Sequence, residues 1–405
     1  MDKMKLTANI LFAGIGCQER GLENSGVIDL DVLAISEIDR NAICGYAAIH
    51  KSLTSEMIMN YGSYPDEEQM IQELVDKNIG FNQEKEKTYN WNGIRKNRQY
   101  EIRKHWLANH LCHNLGDISR IETLPTADFW SCSFPCTDIS CAGNEKGLEA
   151  DTGTRSSLVW EFMRLLKKAV QDGTQPKYLL FENVKNLVEK FIPDFQKILD
   201  VLHSLGYKTY WDIINAKNCG IPQTRERVFV VCIREGIGLG EYIFPMPFEC
   251  GRKVGDILDL DTDVRYSIQD KRLITLLDTL MAGEISTGRG SQTKQGQPDR
   301  ILSFIQNGST EKKKNRYSAT RLTPGQCFQL MGLTSEDADK CKKLGIADGQ
   351  ICRQAGNGIV TNCVQLLGEH LYKLVKVPSY VCTDERKNGY TLNSCSNSQL
   401  YKKTA

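Results

Sequence analysis

Asn9-Ile10-Leu11-Phe12-Ala13-Gly14-Ile15-Gly16, followed after a mixed apolar and polar stretch by Val32-Leu33-Ala34-Ile35-Ser36-Glu37, predicts a strand, a glycine turn, a helix and a second strand. Glycines at a strand end let the backbone approach a ligand closely. A carboxylate after the second strand can accept hydrogen bonds from ribose hydroxyls. The turn is shorter than a GxGxxG fingerprint and leaves no room for a phosphate motif. Further on, Leu115-Gly116-Asp117-Ile118 can set another carboxylate at the mouth of the same sheet, beside an exocyclic amine. Gly14, Gly16, Glu37 and Asp117 together favour an adenosine-containing cofactor over a plain turn. The expected architecture is α/β and Rossmann-like: a mostly parallel sheet with helices on both faces and ligands outside the carboxyl ends of the strands.

The second informative stretch is Ser131-Cys132-Ser133-Phe134-Pro135-Cys136, after an apparent strand. Glu182-Asn183 closes another strand, Tyr178-Leu179-Leu180-Phe181. A thiol and a carboxylate presented from two neighbouring strand ends suit covalent attack on an electron-poor ring, because the carboxyl delivers a proton as the thiolate adds. That chemistry points to cytosine. Glycine-bearing sequence through Gly143, Gly147 and Gly153 to Thr154-Arg155-Ser156 lacks strand or helix periodicity and reads as a loop able to close over an extruded base. Ser140 and Arg155 would then contact flanking phosphates. Helical periodicity resumes from Leu158 to Ala169. A third cluster, Asn218 to Arg227, leads into Val228-Phe229-Val230-Val231-Cys232 and sets Arg225 and Arg227 on one face, with Gln223 in register. One arginine can hold the pyrimidine carbonyl while the other orients the loop or the carboxylate.

At 405 residues the chain exceeds the size at which single cores stop growing, about 250 to 300 residues, and two or three lobes are expected. Formal charge is +1, so any grip on nucleic acid depends on cations gathered along one cleft wall. The 15 cysteines are scattered, odd in number and without zinc spacing, which suggests a reduced, cytoplasmic setting and requires no metal. Most are expected to be small buried residues. Cys132 has the wrong place relative to Pro135. His50, His105, His110 and His113 read as a polar helix surface. No run reaches the roughly 18 apolar residues of a membrane span. Between His50 and Asn114 lies an insertion with Tyr89, Trp91 and Trp106. Its Asn82–His113 part is expected to be a turn and a helix carrying Lys96, Arg98, Arg103 and Lys104. Either it follows DNA phosphates or it is a solvated helical lid with its tryptophans against the core.

With these motifs assembled, the sequence resembles the DNA cytosine-5 methyltransferase family. Phe12 to Gly16 is similar to the family's first cofactor motif, Glu37 to its ribose carboxylate, Asp117-Ile118 to its adenine-side motif and Phe134-Pro135-Cys136 to its nucleophile motif. Glu182-Asn183-Val184 resembles the acidic motif that engages cytosine, and Gln223-x-Arg225-x-Arg227 the paired-arginine motif. Arg321-Leu322-Thr323-Pro324 and Gln354-Ala355-Gly356-Asn357 resemble the last two. The order is kept across nearly the whole chain. The resemblance implies an S-adenosyl-L-methionine-dependent methyltransferase fold acting on double-stranded DNA. Cys136 would attack C6 of a flipped cytosine, Glu182 would protonate N3, and Arg227, with Arg225 second, would hold O2. Phe12, Gly14, Gly16, Glu37, Asp117, Ile118, Pro135 and Asn357 would hold the cofactor. Ser140, Arg155, Gln223, Arg289 and Lys294 would face DNA.

The same resemblance divides the chain into a catalytic part at 1–247 with its insertion at 51–114, a target-recognition region at 248–316, returning catalytic motifs at 317–380 and a tail at 381–405. The recognition region is short, and the proline-threonine element often found before the ninth motif is not evident. The layout is most similar to the CG-methylating enzymes of wall-less bacteria, which suggests CG as the target in a monomeric, bacterial or phage-encoded enzyme, with a restriction endonuclease as system partner. An RNA cytosine-5 methyltransferase acting on tRNA is the alternative, and a binding-only relative the third reading.

Overall fold

The computed structural model describes residues 2–82, 87–136, 139, 156–237, 240–248, 257, 267–268, 285–286, 302–306 and 317–376. Ser140, Arg155, Arg289, Lys294 and the tail lie outside these described residues.

The chain runs through β1 (Met4–Leu11), α1 (Cys17–Asn24), β2 (Ile28–Ser36), α2 (Arg40–His50), α3 (Ser55–Asn60), α4 (Glu67–Asp76), α5 (Arg98–Leu111), β3 (Phe129–Cys132), α6 (Val159–Gln171), β4 (Tyr178–Val184), α7 (Ile192–Ser204), β5 (Tyr207–Asn215), β6 (Gln223–Thr224) and β7 (Glu226–Arg234). It continues through β8 (Ser267–Ile268), β9 (Ile285–Ser286), β10 (Leu302–Gln306), β11 (Tyr317–Arg321), α8 (Pro324–Gln329), α9 (Ser335–Lys343), α10 (Asp348–Asn357) and α11 (Thr361–Lys376). Six strands form one sheet in the order β2-β1-β3-β4-β7-β5. The first four are parallel, and β7 runs antiparallel between β4 and β5. A parallel bridge from Ile35 to Asn114 brings the Asn114–Asp117 segment to the outer edge beside β2. The α/β, Rossmann-like expectation therefore holds.

Alternation along the strands divides the interior. Ala8, Ile10, Phe129, Leu180 and Val231 join one core with α1, α2, α5 and α11. Leu11, Trp130, Cys132, Phe181 and Val230 join the other, with α6 and α7. A strand buried on both faces reads as a continuous apolar run, which is why β4 and β7 are so clear in the sequence. In α6, Val159, Phe162, Met163, Leu166 and Ala169 recur at helical spacing and supply one buried stripe.

Residues 51–114 are built into the first core. Within Asn82–His113, where a turn and a helix were expected, the helix is α5, which starts at Arg98 and leaves Lys96 outside it; α3 and α4 precede that stretch. Trp91 and Trp106 are buried, as are Ile102, Leu107 and Ala108. Two of the basic side chains, Arg98 and Lys104, have internal polar partners, and Arg103 lies over the Tyr64 ring. Arg98 pairs with Glu67 and donates to the carbonyls of Trp91, Asn92 and Ile94, while buried Lys104 donates to Glu101 and to the Leu344 carbonyl. The polar-surface expectation for the histidines holds for His110 and His113 only. The His50 and His105 side chains are inside, because α2 and α5 pack face to face.

The C-terminal helices return to the start of the chain. Thr323–Gln326 and Thr334–Asp337 form capping boxes at α8 and α9, each satisfying otherwise unpaired helix N–H groups from both sides. Then α11 lies along α1 so closely that a Cβ on Gly21 would stand 2.5 Å from Val364 Cβ and 2.7 Å from the Thr361 carbonyl. Gly21→Ala should lower the stability of the whole protein by about 1–3 kcal/mol through overpacking. Denaturant unfolding checks this; an unchanged midpoint would mean that the two helices separate without cost.

Candidate active site

The row Ser36, Leu11, Cys132, Phe181, Val230 and Trp211 crosses the sheet at one level. The side chains expected to carry chemistry emerge just beyond it. Past β1, Phe12 has φ +57 and Gly14 φ +55, and the chain turns sharply into α1. A Cβ on Gly14 would meet no heavy atom within 4 Å, so space for a ligand is present there. Gly16 is a glycine for another reason: its φ is +82 and a Cβ would stand 2.3 Å from His50 Nε2. The two glycines share a motif but only Gly14 borders open space.

Past β2, the Glu37 carboxylate accepts from Gly14 N at 2.9 Å, Ile38 N at 2.8 Å and Asp39 N at 2.7 Å. Burial raises its pKa, and these backbone donors oppose the shift. With about four acceptor positions on a carboxylate, one remains for a ribose hydroxyl. At the sheet edge, Asp117 accepts from Asn78 Nδ2 at 2.7 Å and from Ser119 N and Oγ at 3.0 and 2.8 Å. Gly116, at φ +81, is forced by the Lys77 carbonyl, which a Cβ would meet at 2.2 Å. Arg164 of α6 donates to the carbonyls of Ile118 and Ile121 at 3.2 and 2.8 Å and fixes this edge from the other side. Glu37, Asp117, Ile118 and Phe12 thus ring one mouth of the sheet. The open space at Gly14 and the acceptors around it fit an adenosine group.

Past β3, Asn183 Nδ2 donates to the Phe134 carbonyl at 3.0 Å and Ser156 Oγ to the Pro135 carbonyl at 2.8 Å, which hold the turn carrying Cys136. Asn186 Nδ2 reaches the Ile139 carbonyl at 3.2 Å, and Gln18 Nε2 reaches Ser133 Oγ at 2.9 Å. These supports were not assigned from sequence. The available signal was that Asn183 follows Glu182 and so points to the other face of β4. Glu182 is buried, and Arg227 Nε lies 3.2 Å from its Oε1. Pairing of β4 with β7 accounts for this: Val184 faces Arg227, which leaves Arg227 diagonal to Glu182 on the same face.

Burial raises the Glu182 carboxyl's pKa against the lowering effect of Arg227 and Arg225. Burial also raises the Cys136 thiol, and Glu182 adds to that while Arg227 and Arg225 draw it down. Arg225 is fully inside. Its guanidinium donates to the Gly356 and Gly358 carbonyls at 3.1 and 2.7 Å, on either side of Asn357 at the end of α10. Burial, with Arg227 beside it, lowers its pKa to about 9, and it keeps its charge at neutral pH. It therefore ties the catalytic face to the returning Gln354–Asn357 motif and takes no outward position.

Gln223, expected to face DNA, is wholly buried and donates to the Leu330 carbonyl at 2.9 Å. Its strand β6 pairs with β9, and the inward direction of its amide joins the arginine strand to the end of α8. In this structure its place is structural.

A family model described as C-5 cytosine-specific DNA methylase matches residues 76–373. The chain is 34% identical over 368 residues to the type II methyltransferase M2.ScrFI of Lactococcus lactis subsp. cremoris, covering 89% of this chain and 98% of that one. It is 33% identical over 234 residues to the orphan methyltransferase M.SssI of Spiroplasma monobiae, covering 56% of this chain and 59% of that one. Among solved structures it is similar in fold to the Entamoeba histolytica methyltransferase EhMeth, with TM-score 0.58 at 17% identity over 92% of this chain and 99% of that one.

The charge arrangement around Cys136 makes opposite predictions for its two neighbours. Without DNA and near neutral pH, Arg227→Gln should slow alkylation of Cys136 by iodoacetamide, and Glu182→Gln should speed it. The expected change is roughly threefold to tenfold, the effect of up to about one pKa unit on the thiolate fraction. Peptide mapping of the alkylated residue reads this, and equal rates in all three proteins would disconnect the thiol from both charges.

Proposed function

Because this chain belongs to the C-5 cytosine-specific DNA methylase family, we propose how its residues divide the reaction on a flipped base. The protein is a cytosine-5 DNA methyltransferase dependent on S-adenosyl-L-methionine, with a cysteine nucleophile. When bound, that cofactor supplies an electrophilic methyl group. The observation that carries the division of roles is the buried Glu182–Arg227 pair beside Cys136.

Cys136, as thiolate, adds to C6 of a cytosine rotated out of duplex DNA, at an unstacking cost of a few kcal/mol that contacts to DNA must repay. Glu182, whose proton affinity burial raises, delivers a proton to N3 as the ring takes up charge. Arg227 holds O2 and orients Glu182 from its position on β7. The charge this addition puts on C5 makes that carbon the nucleophile toward the methyl group the bound cofactor would supply, with the cofactor's sulfur leaving as a neutral thioether. Solvent at the site would then take the C5 proton as the C6–S bond breaks, N3 returning its proton to Glu182 and Cys136 leaving as thiolate. Glu37 and Asp117 hold ribose and adenine, Gly14 gives the cofactor close access to the backbone, and Asn357 approaches from the returning motif that Arg225 fixes.

Residues 248–316 are assigned to target recognition, with Arg289 and Lys294 at base edges or phosphates and Ser140 and Arg155 on the strand beside the vacated position. The insertion layout and the Gly153–Ser156 run make CG the target assigned first. A monomer working in the cytoplasm, with or without a restriction partner, completes the proposal. Among the described residues, no helix is long and apolar enough to cross a membrane.

Labelled methyl transfer to unmethylated duplex DNA and to tRNA, followed by base-by-base mapping, tests the reading. Transfer to duplex at CG is expected. Cys136→Ala should abolish it, and Glu182→Gln should lower the rate roughly 100-fold to 10,000-fold, the usual contribution of a general acid. Transfer confined to tRNA would overturn the duplex assignment, and another mapped sequence would replace CG.

A further inference from the structure

Beneath the glycine turn lies a group of buried ionisable side chains that the transfer reaction leaves unused. Glu19 in the first turn of α1 is 4% exposed, Tyr46 of α2 is fully buried, and the His50 side chain at the end of α2 is 2% exposed. His50 Nε2 lies 3.1 Å from the Ile15 carbonyl, inside the turn. A carbonyl only accepts, so Nε2 carries the hydrogen. His50 Nδ1 is 3.5 Å from Glu19 Oε2, the oxygen to which Tyr46 Oη–H donates.

Proton accounting then limits the states. If the ring is neutral with its hydrogen on Nε2, Nδ1 presents a lone pair toward a carboxylate oxygen, and two acceptors confront each other in the interior. One further proton, on Glu19 or on His50, removes that conflict. The ring also packs directly against the turn, because a Cβ on Gly16 would stand 2.3 Å from Nε2. Around Glu19 stand Arg20 and Glu23 on α1, Lys51 after α2 and Cys112 after α5. Arg20 is itself paired at 3.5 Å with Asp337 of α9.

We propose that Glu19 is a positioning residue for the cofactor turn: as a neutral acid it keeps His50 in the tautomer whose Nε2–H anchors the Ile15 carbonyl, and its ionisation loosens the turn and weakens cofactor binding. Burial raises the Glu19 carboxyl to about 7 and lowers His50 to about 3, which puts the shared proton on Glu19. A carboxyl raised in the fold contributes stability that is fully present below its unfolded value of 4.5 and is lost as pH rises through about 7. The inference rests on the reading that the Gly14–Glu37 turn holds adenosine.

Calorimetric titration of the full chain with S-adenosyl-L-homocysteine at about pH 6 and about pH 8.5 tests it. Wild-type affinity should fall roughly threefold to tenfold, the worth of one hydrogen bond. Glu19→Gln, which reproduces the neutral acid's donor and acceptor without ionising, should bind tightly with a flat profile. Nitrogen-15 histidine spectra of the apo wild type at about pH 6, assigned with His50→Gln, should show the Nε2–H tautomer, a readout independent of whether Glu19→Gln folds. Equal pH slopes in wild type and Glu19→Gln, or an Nδ1–H tautomer at His50, would overturn the proposal alone. Glu37→Ala should lose binding at both pH values; if it does not, the cofactor lies elsewhere, and the reading of the turn fails together with the proposal.

Discussion

Leu11, Cys132 and Phe181 lie side by side across three parallel strands, and the site depends on that alignment. Parallel pairing makes β1, β2 and β3 finish at the level of Phe181 in β4, so the residues just past that level rise from one edge. A slip of one residue in any pairing would turn the alternate side chains to the opposite core. The same slip would move Glu182 or Cys136 along the sheet by about 3.3 Å, more than a hydrogen-bond length. The two apolar cores that hold the register also determine where the chemistry stands.

The edge itself is costly to keep. Glu37, Glu182 and Arg225 are charged or ionisable groups largely withdrawn from water, and each is offset by directed partners: backbone N–H groups for Glu37, Arg227 for Glu182, and two carbonyls for Arg225. These partners come from distant parts of the chain. Asn78 and the Lys77 carbonyl belong to the insertion, Arg164 to α6, and Gly356 and Gly358 to the returning helices. The insertion supports the Asp117 edge and lies too deep in the core to be a removable appendage.

Much of the fold could be read in the sequence because its signals are local. Apolar runs ending in Gly14, Cys136 or Glu182 disclose a strand and the turn beyond it within a few residues. The residues proposed for function stand at the same positions. The direction of a side chain after a strand was harder to read. Gln223 and Arg225 alternate as expected, yet they point into the protein because α8 and α10 lie above them. Gly14 and Gly16 look equivalent in sequence, and only the position of His50 distinguishes open space from tight packing. His105 looks like part of a polar helix face until α2 covers it. In each instance the deciding partner is far away in the chain, where periodicity carries no information.

The contact of Gly21 with Val364 has a consequence for the order of synthesis. When a ribosome has delivered β1 through β7, the groove along α1 still lacks the helix that fills it, and Arg225 lacks the carbonyls at Gly356 and Gly358. Closing such a distant pairing is slow relative to local folding, and the unfilled apolar groove is exposed meanwhile. The nascent chain can thus possess Cys136, Glu182 and Arg227 and remain unassembled until α11 has emerged.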